Sequence, residues 1–168
     1  VVITRTADST LFRSVAGRFP TGVTVITAMA TTGPVGFTCQ SFTSLSLNPT
    51  LITFNVSRSS RTWPLIRETG AFCVNVLAAG QERMARLFAG RGADRFDGAE
   101  YTCAHGNGSP RLAGATAWMD ATIEEVCGGG DHLIVIGRVN SADEGEGEQA
   151  LLFYRGSYAA ARSPSDSR

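Results

Sequence analysis

The chain has 168 residues, 43% of them hydrophobic and 18% charged, with nine Phe; that is enough to bury one proper core and too little for two comfortable domains. Formal net charge is zero, which argues against a general nucleic-acid binder, since such proteins need a clustered positive surface to release counterions. All fifteen basic residues are Arg, so an internal Schiff base to a carbonyl or pyridoxal cofactor and a phosphate-loop GK[ST] motif are both excluded.

Residues 1–8 read as a flexible leader, 9–161 as a single domain and 162–168 as a disordered tail. Asp8 or Ser9 caps a first helix, in which Leu11, Phe12, Val15, Ala16 and Phe19 recur at helical spacing. Pro20 and Gly22 end it. Short β runs follow at 23–30, 35–41, 43–47, 51–56 and 72–77, each bounded by Gly, Pro, Asn or Ser. Two helices interrupt them. One covers 62–68; the other covers 81–88, where Met84, Leu87 and Phe88 share a face and Glu82 lies four before Arg86. Residues 90–110 read as a loop rich in Gly and charge. Strands return at 115–126 and 132–140, joined by CGGGD as a hairpin, with a last strand at 151–154. DEGEGE, at 143–148, reads as a solvated loop because glycines separate its carboxylates. About eight short strands, few helices and no regular βαβ alternation predict an all-β antiparallel barrel with a few short helices. No GxGxxG follows a strand, so any dinucleotide is bound without a Rossmann unit.

The segment GFTCQSFTSLSLNPTLITFNVSRSSRT, residues 36–62, is crowded with hydroxyls and contains no acid, no His and no Lys. Thr38, Ser41, Thr43, Ser44, Ser46, Ser57, Ser59, Ser60 and Thr62 each donate and accept, and Arg58 and Arg61 add forks that suit phosphate. A heteroaromatic ring with a phosphate tail fits that chemistry. The plain structural alternative is the solvent face of an exposed sheet, with the two arginines on a solvated turn. Cys39, Cys73, Cys103 and Cys127 make no CxxC and read as reduced thiols. His105 and His132 lack zinc-ligand spacing, so no metal is expected. With no signal-peptide pattern and no apolar run near eighteen residues, a cytoplasmic protein that meets no membrane is expected.

Six stretches in order carry a family resemblance: FRSVAGRFPTGVTVITA at 12–28, GFTCQSFTSLSLNP at 36–49, SRSSRTWP at 57–64, FCVNVLAAGQERMARLFAG at 72–90, GGDHLIVIGRV at 129–139 and LLFYRGSY at 151–158. Over roughly 11–158 the chain resembles the short-chain NAD(P)H-dependent flavin reductases of the FMN-binding split-barrel fold, the reductase components of two-component flavin monooxygenases. The resemblance implies a Greek-key split barrel, a homodimer with the flavin near the subunit interface, FAD or FMN as flavin, and NADH or NADPH as hydride donor. It implies flavin contacts at Thr38, Cys39, Gln40, Ser41, Asn55, Val56, Ser57, Ser60 and Thr62, with Phe88, Ala89 and Gly90 at the flavin tail. It also implies nicotinamide-nucleotide contacts at His132, Tyr154, Arg155 and Gly156, and a separate monooxygenase as recipient of the reduced flavin. Asn48 and Thr50 stand where relatives often read Asp and Pro, and FAD and FMN remain alternatives.

Hydride transfer between two stacked rings needs alignment and an environment that tolerates negative charge on the reduced ring, and no protein nucleophile. The 36–62 segment agrees, having neither paired carboxylates nor a Ser, His and Asp set. No catalytic side chain is therefore expected. Trp63 and Trp118 are assigned to packing, and Cys39 is a small hydrophobe with a weak S–H donor. Two other functions remain on the sequence: a flavin-storing module without turnover, and a split-barrel oxidase of a phosphorylated pyridine amine.

Overall fold

The computed structural model describes residues 8–90, 92 and 95–161. The expected leader lies outside these residues except for Asp8, and the expected tail lies wholly outside them. In chain order the elements are α1 (Ser9–Ala16), β1 (Thr21–Gly22), β2 (Thr24–Ala30), β3 (Gly33–Cys39), β4 (Thr43–Leu47), β5 (Thr50–Ser57), α2 (Trp63–Thr69), β6 (Ala71–Val76), a short 3-10 turn (Ala79–Gln81), α3 (Glu82–Ala89), β7 (Tyr101–Cys103), β8 (Pro110–Leu112), β9 (Ala117–Gly129), β10 (His132–Glu144), β11 (Leu151–Tyr154) and β12 (Ser157–Ala160).

Seven strands form one antiparallel sheet in the order β3-β2-β6-β9-β10-β5-β4; β1-β11-β12 and β7-β8 form two smaller ones. The non-sequential order is the antiparallel barrel expected from the strand pattern, and the sheet curls so that its edge strand β3 approaches β5, the strand next to the other edge. There Ser41 bridges by side chain: its Oγ accepts from Asn55 N at 2.8 Å and donates to Asn55 O at 3.2 Å. Phe54 fills the interior, meeting Phe72 and Trp63 edge to face at 5.3 and 6.1 Å. Gly137 leaves room for Phe72, because a Cβ there would stand 2.5 Å from the ring. A second core cluster, built on Val23, Val25, Leu77, Phe88, Leu112 and Leu151, packs α3 against the barrel.

Local signals explain most boundaries. Asp8 accepts from Leu11 N at 2.7 Å and caps α1; Pro64 opens α2 and Gly70, at φ 70, closes it in the left-handed conformation. Glu82 and Arg86 form the expected i,i+4 pair at 2.7 Å. The 90–110 loop differs from expectation, since it holds the β7-β8 ribbon. The strand total also exceeds the expected eight or so, with twelve among the described residues. β12 was hidden by the brevity of its turn, and β1, β7 and β8 are too short to show alternation. The DEGEGE loop is partly strand: Asp143 and Glu144 finish β10, and Asp143 pairs with Arg111 at 2.5 Å.

Candidate functional site

The ends of β3 and β5, the 57–61 turn, the C-terminus of α3, Arg95, His132 and the β11-β12 hairpin surround a groove of about 1010 Å³. That volume is at the upper end for small-molecule sites and gives room for more than one ring system. Its walls include Thr38, Cys39, Gln40 and Ser41 on one strand end, and Asn55, Val56, Ser57 and Ser60 on the other. Phe88 and Ala89 close it from α3. Ten of the twelve residues expected to bind flavin therefore meet in one place. The other two stand just outside: Thr62 touches the wall through Arg95, and Gly90 ends α3 by donating its N–H to Arg86 O and Leu87 O.

On β5, strand alternation explains why Asn55 and Ser57 face the groove. Along β5 the buried residues Ile52, Phe54 and Val56 point inward, so Thr53, Asn55 and Ser57 take the opposite face. The hydroxyls are less free than the sequence suggests. Thr38 Oγ1 donates to Ala85 O at 2.6 Å and ties α3 to β3. Ser60 Oγ accepts from Trp63 N at 3.1 Å, and Ser57 Oγ lies 2.9 Å from Ser59 Oγ. These bonds set the walls and leave spare lone pairs toward the groove. Among the described residues the side chains of Gln40, Asn55 and Arg61 make no hydrogen bond, so their donors remain for a ligand. Cys39 is buried beside Ser41 Oγ at 3.3 Å, and burial pushes its thiol pKa up. It is a neutral packing group.

His132 lies directly across the ladder from Ser57. Its Nδ1 is 2.7 Å from Asp131 Oδ1, and this hydrogen bond holds the Asp131 carboxyl below its ordinary pKa. With Nδ1 committed to that carboxylate, Nε2 is the atom left for a ligand. The structure does not bring Tyr154, Arg155 and Gly156 to the groove wall. Arg155 at φ 49 and Gly156 at φ 84 form the tight turn between β11 and β12, the two-residue geometry that hairpins favour. The residues that line the groove from this hairpin are Phe153 and Tyr158. They are cross-strand partners, edge to face at 5.1 Å, and Arg86 lies 4.8 Å above the Tyr158 ring.

Arg58 also departs from its expected role, for its Nε donates to Gly130 O at 2.9 Å and it braces the β9-β10 turn. Arg61 lines the groove, as does Arg95. The groove residues that sequence reasoning missed are Phe37, Arg95, Phe153 and Tyr158. The hairpin pair carried a usable signal, since a two-residue turn at Arg155 and Gly156 makes Phe153 and Tyr158 opposite partners. Arg95 carried none. The groove walls thus carry the cations Arg61 and Arg95 with His132, and among the described residues no carboxylate lines them, so the arrangement favours an anionic ligand with neutral ring contacts.

The profile of the family described as flavin reductase like domain matches residues 16–162. The chain is 47% identical to the HsaB reductase subunit of a flavin-dependent monooxygenase from Rhodococcus jostii (strain RHA1), covering 90% of this chain and 77% of that one. It is 44% identical to a flavin reductase of Pseudomonas putida, covering 94% and 92%. The fold superposes with TM-score 0.88 on the NADH:FAD oxidoreductase SgcE6 of Streptomyces globisporus C-1027 in complex with NAD and FAD fragments, at 37% identity and 96% coverage of each chain.

Proposed function

The chain belongs to the flavin reductase like family, and from that premise we propose that its groove brings a reduced nicotinamide nucleotide to FAD or FMN, and that the reduced flavin leaves for a separate monooxygenase. The observation that carries this reading is the groove itself: neutral donors for a ring, two arginines for phosphate and, among the described residues, no carboxylate. The residues present fit a flavin nucleotide by the chemistry of this donor set. When bound, the flavin supplies the two-electron acceptor that the protein's own side chains lack.

Gln40 and Asn55, whose amides are uncommitted, and the backbone of the 38–41 segment orient the ring. They offer dipoles where negative charge develops on reduction. Cys39 stays a thiol and fills space behind that segment. Ser57, Ser59, Ser60 and Arg61 take the phosphate side, and Phe88 and Ala89 exclude water at the tail. His132, with Phe153 and Tyr158, forms the wall for the nicotinamide nucleotide. No side chain moves a proton in the transfer, so no general acid or base is assigned. A storage module would need no such second wall, and neither it nor the pyridine-amine oxidase finds support among the likenesses.

The protein works as a homodimer in this reading. α1 has no buried residue, Phe12 and Phe19 are 63% and 74% exposed, and Leu47 on β4 is 90% exposed. Such an apolar surface fits a second copy better than water. A cytoplasmic setting suits its four free cysteines. Mixing the purified protein with NADH or NADPH and each flavin, and following loss of the reduced nicotinamide absorbance, tests the activity. Turnover that requires added FAD or FMN is expected; no oxidation with any pairing defeats the enzyme reading.

A further inference from the structure

We propose that Arg95 recognises the phosphate of the flavin nucleotide and so makes the groove select FMN and FAD over riboflavin, an inference that rests on the flavin site argued above. Arg95 follows α3 and is held from two directions. Its neighbour Phe96 packs edge to face against Phe88 at 4.9 Å and against Tyr101 at 5.3 Å, which anchors the backbone on the second core cluster. Its Nη1 donates to Gly36 O at 2.7 Å and to Thr62 Oγ1 at 2.8 Å. Both acceptors are neutral.

Among the described residues no carboxylate pairs with Arg95. The ion-paired arginines differ: Arg86 has Glu82, Arg138 has Glu124, and Arg111 has both Asp120 and Asp143. Burial lowers the Arg95 pKa from its ordinary value, and among the described residues no countercharge offsets that cost. A cation kept partly out of water without an anion opposes folding; an arriving phosphate removes the penalty. With Nη1 occupied, Nε and Nη2 meet no acceptor among the described residues and form a fork of the kind that meets phosphate oxygens in pairs.

A phosphate in this groove has two sources, the flavin nucleotide and the nicotinamide nucleotide. Position decides for the flavin. Arg95 bonds to Gly36 and Thr62, which begin and end the hydroxyl-rich stretch, and it shares the groove with Ser59, Ser60 and Arg61. His132, Phe153 and Tyr158 make the wall assigned to the other nucleotide.

The test measures dissociation constants of riboflavin, FMN and FAD by quenching of flavin fluorescence in the unmodified protein, Arg95→Gln and Arg95→Lys, with NADH binding as a separate arm. Arg95→Gln keeps a donor for Gly36 O and loses the charge; Arg95→Lys keeps the charge and loses the fork, and guards against a fold that fails in the first variant. Loss of one charge-assisted contact predicts FMN and FAD weakened about tenfold to a hundredfold in Arg95→Gln, with riboflavin within about twofold and Arg95→Lys between. Equal weakening of riboflavin overturns the proposal, because Arg95 is then only a brace of the wall. Weakening confined to NADH overturns it too, because the phosphate is then the nicotinamide's. Unmodified protein that binds none of the three flavins removes the flavin site itself, a distinct failure.

Discussion

On one side of the barrel Arg111 sits between two carboxylates, while in the groove Arg61 and Arg95 have none among the described residues. Asp120 is 1% exposed, and its Oδ2 accepts from Arg111 and from Ser141 Oγ at 2.8 Å. Arg111 also reaches Asp143, and these carboxylates, Asp120 first, raise its pKa. Next to them Asn75, fully buried, donates to Val25 O and Thr27 Oγ1 at 3.0 Å and accepts from Leu112 N at 2.7 Å. These bonds clamp the β7-β8 ribbon onto the sheet. Polarity there is paired within the protein, Asp120 Oδ1 excepted, and serves the fold; polarity in the groove is left open to solvent and, in the proposed reading, to a ligand.

The sharpest way to break that contrast is Arg111→Met. It leaves Asp120 buried without its cation and costs about 3–5 kcal/mol, read by urea denaturation, while flavin affinity of the folded fraction stays near that of the unmodified protein. A large loss of flavin affinity at unchanged stability would reverse the assignment of the two regions. Gly36→Ala comes next, because its Cβ would stand 2.8 Å from Ile26 O and 2.9 Å from the Phe88 ring. Overpacking predicts a loss of about 1–3 kcal/mol together with weaker flavin binding, since Phe88 is both core and groove wall. A variant with the original melting temperature and flavin affinity would show that this wall is slack.

The smallest expected effects separate the two halves of the groove. Ser57 and His132 are cross-strand partners, so the two substitutions probe neighbouring points. Ser57→Ala is expected to weaken flavin about twofold to tenfold, the worth of one neutral hydrogen bond, and to alter the nicotinamide KM less. His132→Ala is expected to do the reverse. Equal effects on both ligands would show that the two walls are wrongly divided.

Helices α1, α2 and α3 and the long strands were legible in the sequence because each carries a periodic apolar face and a punctuating Gly or Pro. The β7-β8 ribbon and β12 were not, since strands of three or four residues hold too little alternation. Most of the groove wall was legible because it is local: 38–41 and 55–60 are compact segments that the curl of the sheet brings side by side. Arg95 was illegible because its place in the groove depends on a contact fifty-nine residues away, from Nη1 to Gly36 O. Tyr154, Arg155 and Gly156 stand apart from the groove wall for a physical reason, since Arg155 and Gly156 form the tight turn between β11 and β12 with positive φ. Arg58 misled because its neighbour in sequence, Arg61, faces the groove while it faces the β9-β10 turn.

A crystal structure of the protein with FAD or FMN tests the central claim most directly. The account predicts the ring against residues 38–41 and 55–57, with its phosphate between Arg61 and Arg95. A ring lodged elsewhere, or that groove closed by the protein's own side chains, would contradict it.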